Sequence, residues 1–191
     1  MIFTSESGLT DPSRICEWDT WYRGHLAAMA SVPGVSSAQR FRALGDGPPP
    51  SLAPPPSLAP PPSLAPPPSL AMYTVASPAV FDSAIYLRTR GMGPFLSVVD
   101  ERMHRRNLFE GLDAAPDVPA GGILLLADRS RPGPMADGVV WLRAVALDRS
   151  VAYRGIGVFP DIETATAAGA RLGGAACYTP MTETFLPARP G

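Results

Sequence analysis

The sequence predicts an α+β fold assembled from ferredoxin-like units with antiparallel sheets, two units per chain. Three observations carry this. The N-terminal part alternates strand, helix, hairpin and helix, the opening of a ferredoxin-like unit. Further on, Tyr153 to Phe159, a Pro160-Asp161 turn and a helix repeat the grammar of Tyr73 to Leu87. Laying Ile123-Leu124-Leu125 on Ile2-Phe3-Thr4 also brings Trp141-Leu142-Arg143 within a few residues of Trp21-Tyr22-Arg23, which hints at duplication. The implied organisation is a first unit over 1–111, a linker over 112–120 and a second, degenerate unit over 121–191.

Ile2 to Glu6 alternates apolar and polar and suits a first strand. Asp11-Pro12 supplies a capping oxygen and a residue without an N–H at the first helical position, so a helix starts there and runs to about Ser31. Ile15, Trp18, Tyr22, Leu26 and Met29 form its apolar stripe, and Pro33-Gly34 stops it. Val35 to Leu44 alternates again. Its Val35, Ser37, Gln39 and Phe41 lie on one side, and Ser36, Ala38, Arg40 and Arg42 on the other. Its partner is Leu70 to Val75, and Ser77-Pro78 then caps a second helix reaching about Arg88.

Between those paired strands the unit Pro-Pro-Pro-Ser-Leu-Ala occurs four times in tandem from Pro48. Triple proline favours polyproline II and cannot donate to a sheet ladder, so the 48–68 stretch is expected to be an inert insertion projecting from a hairpin loop. No two of its prolines are three positions apart, which removes the P-x-x-P core of SH3 ligands.

Phe95 to Val99 is expected to close the first unit. Arg102-Met103-His104-Arg105-Arg106 is a small basic cluster, better explained as a solvated edge strand blunted by charge than as an anion site. Gly121 to Ala127 opens the second half with a strand apolar enough to lie inside a sheet. Asp137 to Asp148 admits two readings: a cramped copy of the first helix, or a strand from Val139 to Leu147 turning at Asp148-Arg149-Ser150 into Val151 to Phe159. A helix follows Pro160-Asp161 to near Leu172, Gly173-Gly174 stops it, and Ala176 to Leu186 is the last strand.

Composition narrows the function. Hydrophobic residues are 46% and charged ones 17%, enough for a core, and a formal net charge of -1 leaves no electrostatic footprint for nucleic acid or anionic lipid. Arg154-Gly155-Ile156-Gly157-Val158-Phe159 echoes an RNA-binding strand but lacks its stacking aromatics. No apolar run is long enough to cross a bilayer, and the N-terminus has no signal-peptide pattern, so a cytoplasmic protein is expected. Cys16 and Cys177 belong to no paired motif and are expected to be buried thiols. Two His residues far apart in sequence, without clustered carboxylates, offer no metal site, and no cofactor motif is present.

The first helix carries the candidate site. Trp18, Trp21 and His25 fall close to one line on it, with Tyr22 and Met29 beside them. An imidazole so framed is expected to titrate near neutrality and to move a proton, with Tyr22 as its hydroxyl partner. Trp18, Trp21 and Met29 would line a pocket for a small apolar or aromatic molecule, and Arg40 would hold an anionic group. The competing reading makes the aromatic stripe plain core, the Arg40 face solvated, and His25 a structural residue ordering the Pro33-Gly34 turn.

The string Trp21-Tyr22-Arg23-Gly24-His25-Leu26, then Val32-Pro33-Gly34-Val35 and Ser37-Ala38-Gln39-Arg40-Phe41, resembles the W-Y-x-x-H-L, V-P-G-F and A-R-R-F pattern of EthD-like members of the dimeric α/β barrel superfamily. The resemblance covers roughly the first 95 residues; the second half resembles the family faintly. It implies two ferredoxin-like units whose sheets face each other in a barrel, within a homodimer or between the halves of one chain. The superfamily includes cofactor-free enzymes as well as proteins without known activity, so fold does not fix function. On this resemblance, His25 and Tyr22 would act on an aromatic or polyketide-like substrate. The alternative is a non-catalytic ligand-binding or assembly protein.

Overall fold

In a computed structural model, which describes residues 1–45 and 66–187, eight strands close into one antiparallel barrel. In chain order they are β1 (Ile2–Ser7), β2 (Val35–Leu44), β3 (Ser69–Val75), β4 (Arg105–Glu110), β5 (Ile123–Arg129), β6 (Val139–Leu147), β7 (Tyr153–Phe159) and β8 (Ala176–Pro180). Three α-helices accompany them among the described residues: α1 (Ile15–Ala30), α2 (Ala84–Thr89) and α3 (Ile162–Arg171). Around the barrel the order is β1-β3-β2-β8-β5-β7-β6-β4, returning to β1. Phe41 pairs with Pro180 at the β2–β8 seam and Phe109 with Ala144 at the β4–β6 seam, so neither half of the chain keeps a free sheet edge.

This overturns the expected architecture. The ferredoxin-like α+β units of a dimeric α/β barrel are replaced by a closed eight-stranded β-barrel with few helices, formed within one chain. Two segments account for the difference. Asp137 to Asp148 is mostly strand, β6, turning through Asp148-Arg149-Ser150 with positive φ at Leu147 and Arg149, so the second half has no counterpart of α1. Trp141 therefore lies on a strand, where the alignment with Trp21 would have put a helix. Its ring covers Gly155, whose absent Cβ would sit 3.2 Å from it. Gly157 is required separately, because a Cβ there would lie 2.7 Å from the Gly138 carbonyl oxygen and 2.8 Å from the Phe159 ring. The second segment is the basic cluster: Arg105 and Arg106 belong to β4, which is paired on both sides by β1 and β6 and is no edge strand.

Other boundaries move by local chemistry. Phe95 to Val99 lies mostly in a 3-10 turn (Gly93–Val98), and the second predicted helix breaks at Ser83 into a 3-10 turn and α2. The first helix begins as a 3-10 turn capped by Asp11, whose carboxylate accepts from Ser13 N–H at 3.0 Å. Regular strand pairing ends at Pro180; Phe185 beyond it returns to Ala38 through an isolated bridge. Cys16 is exposed and Cys177 only partly buried, correcting the expectation of two buried thiols. The repeat insertion over 48–68 falls largely outside the described residues.

Side chains alternate between two cores. The barrel interior is filled from every strand by Ile2, Phe41, Met72, Phe109, Leu124, Leu142, Ile156 and Tyr178. On the outer face, Phe3, Ala38, Tyr73, Val75 and Leu108 pack against Trp18, Tyr22, Leu26 and Met29 of α1. Four of the five predicted stripe positions are thus buried; Ile15 is 43% exposed. At one end of the interior Arg154 lies 1% exposed, donating through Nε and Nη2 to both Asp128 oxygens at 2.7 Å, with Nη1 in an ion pair with Glu6 at 2.5 Å.

Candidate functional site

Because β1 alternates, Phe3 and Ser5 leave the interior and face α1, as Tyr73 does from β3. Phe3 and Tyr73 are direct cross-strand partners, with rings stacked 5.1 Å apart. They form the floor of a cavity of about 110 Å³ between the barrel wall, α1 and the chain around α2. Tyr22, His25 and Met29 wall it from α1. Tyr86, Arg90 and Met92 wall it from α2 and the turn after it, and His104 and Arg106 come from β4 and its approach. Ser83 fixes Tyr86 by accepting its backbone N–H at 3.2 Å, capping α2.

His25 is half-buried. Its ring stacks on Trp21 at 4.9 Å with planes 13° apart and meets Tyr22 edge-on at 5.5 Å and 89°. Burial pushes its pKa down to about 4, which corrects the expectation of titration near neutrality: at pH 7 it is a neutral imidazole. Tyr22 is held above the usual phenol range by burial, which outweighs the opposing Arg40 charge. Tyr73 is raised further by burial and by Tyr22 beside it. Tyr86 is also raised by burial, against Arg106 and Arg90. His104 is lowered by burial and by the Arg106 charge, and its Nδ1 is buried without a hydrogen-bond partner.

Of the predicted site residues, Tyr22, His25 and Met29 line the cavity. Trp21 backs His25 from behind. Trp18 is buried against Phe95, with centroids 6.1 Å apart, away from the cavity lining. Arg40 sits on the opposite side of the Tyr22 ring, 4.3 Å from its centroid, and is buried in an ion pair with Asp19 at 2.7 Å. Neither Trp18 nor Arg40 reaches the cavity. Sequence reasoning missed Ser5, Tyr73, Tyr86, Arg90, His104 and Arg106. Strand alternation through Leu108 would have placed Arg106 on the helix side, had 105–110 been recognised as a strand.

A larger cleft of about 830 Å³ lies between the 114–120 loop and the segment after β8. Gln39 ties its two sides together, donating to the carbonyls of Val118 at 2.7 Å and Thr182 at 3.0 Å. Its Asp117 accepts from Thr184, and among the described residues no His or Arg lines it. Among the described residues no cluster of three or more His, Cys, Asp or Glu could hold a metal ion, and no helix is long and apolar enough to cross a membrane. No family model, curated protein or solved structure matches the chain, so the site rests on its own geometry.

Proposed function

We propose that this protein binds a small aromatic molecule bearing a hydroxyl group in the cavity between α1 and the barrel wall. The neutral His25 imidazole accepts a hydrogen bond from the ligand's hydroxyl, and Tyr22 is the neighbouring hydroxyl. The observation that carries this reading is the half-buried His25 imidazole, which stacks on Trp21 and lines a cavity walled by Phe3, Tyr22, Tyr73 and Tyr86. At about 110 Å³ the space is smaller than the roughly 150 Å³ enclosed cavity that accepts benzene, but it is open on one side, so it takes a single ring whose edge projects into solvent. The barrel interior is filled by side chains, so the ligand sits outside it. Proton transfer at such a site needs no cofactor. A location in the cytoplasm suits two free cysteines.

A non-catalytic binding role is favoured by one observation: an imidazole with a pKa of about 4 is a weak base that takes protons only from acidic donors. The test is titration with phenol and toluene, followed by amide and ring chemical shifts. Phenol is expected to perturb Tyr22, His25 and Tyr73, and His25→Gln to weaken phenol by about tenfold while leaving toluene unchanged. No perturbation at these residues, or an unfolded His25→Gln, would return His25 to a purely structural role.

A further inference from the structure

The charges around this cavity do not balance. Among the described residues its walls contribute Arg90 and Arg106 and no carboxylate. Every other titratable side chain lining it is a His with a lowered pKa or a Tyr with a raised one, and so is neutral at pH 7. Arg106 has one acidic neighbour, Asp148, at a loose 3.4 Å, while Asp148 also accepts the Arg106 backbone N–H at 2.7 Å. Arg90 is exposed at the mouth of the cavity and makes no ion pair among the described residues. It follows α2 directly, and Gly91, with φ +114, turns the chain there. Both arginines line the same cavity of about 110 Å³: Arg90 from the end of α2, where its backbone N–H donates to the Tyr86 carbonyl at 2.8 Å, and Arg106 from β4. His104 lines it as well, with a neutral ring whose Nδ1 is unpartnered. With one cation offset by Asp148, one positive charge is left over.

We propose that the cavity selects a small aromatic monoanion, a hydroxyaryl carboxylate, whose carboxylate lies between Arg90 and Arg106 and whose hydroxyl lies at His25. This rests on the cavity being a ligand site, and it adds the substrate class. Two guanidiniums offer a carboxylate several donors, and charge-assisted bonds are roughly twice as strong as neutral ones. A single uncompensated positive charge matches a monoanion better than a phosphate dianion. The neutral state of His25 fits as well: an imidazolium there would add a further positive charge and draw the anion away from the arginines.

The experiment compares 4-hydroxybenzoate, 4-hydroxybenzamide and phenyl phosphate on the full chain at low ionic strength, followed by chemical shifts and calorimetry. 4-Hydroxybenzoate is expected to bind about tenfold or more tightly than the uncharged amide. Arg90→Gln should bring the two within about twofold without weakening the amide, and Arg90→Lys should restore most of the difference. Equal affinity for carboxylate and amide overturns the anion assignment while leaving the phenol site standing. Phenyl phosphate binding more tightly than the carboxylate overturns the monoanion assignment. Carboxylate preference that survives both Arg90→Gln and Arg106→Gln shows that these residues do not hold the anion. If none of the three probes, nor phenol, perturbs Tyr22 and His25, the cavity reading and this inference fall together.

Discussion

Trp21 and His25, one helical turn apart on α1, stack with ring centroids 4.9 Å apart and planes only 13° from parallel. The indole covers one face of the imidazole and excludes water from it, which is the desolvation that lowers the His25 pKa from 6.5 to about 4.

A stability profile follows, with a definite sign. Above pH 6.5 the imidazole is neutral in folded and unfolded chains and adds no pH dependence. Between 6.5 and 4 the unfolded chain binds a proton that the folded chain refuses, so stability falls as pH falls through this window, by up to about 3 kcal/mol. His104 is displaced in the same direction, so His25→Gln should flatten the slope without abolishing it. Urea unfolding of wild type and variant between pH 7.5 and 4.5 measures the difference, in which the acidic residues common to both chains cancel. Identical slopes would mean that the His25 ring is solvated.

The indole is itself held by a turn that tolerates no side chain. Gly93 has φ +48, and a Cβ there would lie 2.9 Å from Trp21 Cζ2. Gly93→Ala is therefore expected to cost about 1–3 kcal/mol in backbone strain and to push the indole off His25. Gly91→Ala provides the comparison: its φ is +114, but its Cβ would meet nothing within 4 Å, so it strains the backbone alone. Urea midpoints and tryptophan emission report the two effects separately. A Gly93→Ala protein with wild-type emission would show that the turn does not set the ring's position.

What the sequence disclosed is local. The α1 stripe at Trp18, Tyr22, Leu26 and Met29, the pairing of β2 with β3, and the helix after Pro160 all follow from spacing and caps that act within a few residues. His25, Tyr22 and Met29 were legible because one helix face brings them together. The rest of the cavity was not, because Ser5, Tyr73, Tyr86, Arg90, His104 and Arg106 come from four other places in the chain and meet only when the barrel closes. Closure was itself hidden at β6, where a run as apolar as Val139 to Leu147 fits helix and strand equally. It was hidden again at β4, where two consecutive arginines resemble an exposed edge. One of the two, Arg106, lines the cavity beside α1, and neighbours on both sides pair the strand.

The interior of the barrel carries its own charged device, and its removal should be costly. Burial alone would lower the Arg154 pKa, but the Glu6 and Asp128 carboxylates override that penalty and hold the guanidinium charged. Thr4 accepts a further bond from Nη1 at 3.2 Å, and the Phe109 ring lies 5.2 Å from the guanidinium carbon, so the group is surrounded by partners from β1, β4 and β5. Arg154→Met leaves Glu6, 2% exposed, as an uncompensated buried carboxylate and is expected to destabilise the fold by about 3–5 kcal/mol. In a Glu6→Gln background the same substitution should cost at least about 1 kcal/mol less, because the charge it strands is gone. Urea unfolding of the wild type, the two single variants and the double variant completes the cycle. Strict additivity would show that Arg154 and Glu6 do not depend on each other, and that Asp128 alone holds the guanidinium charge.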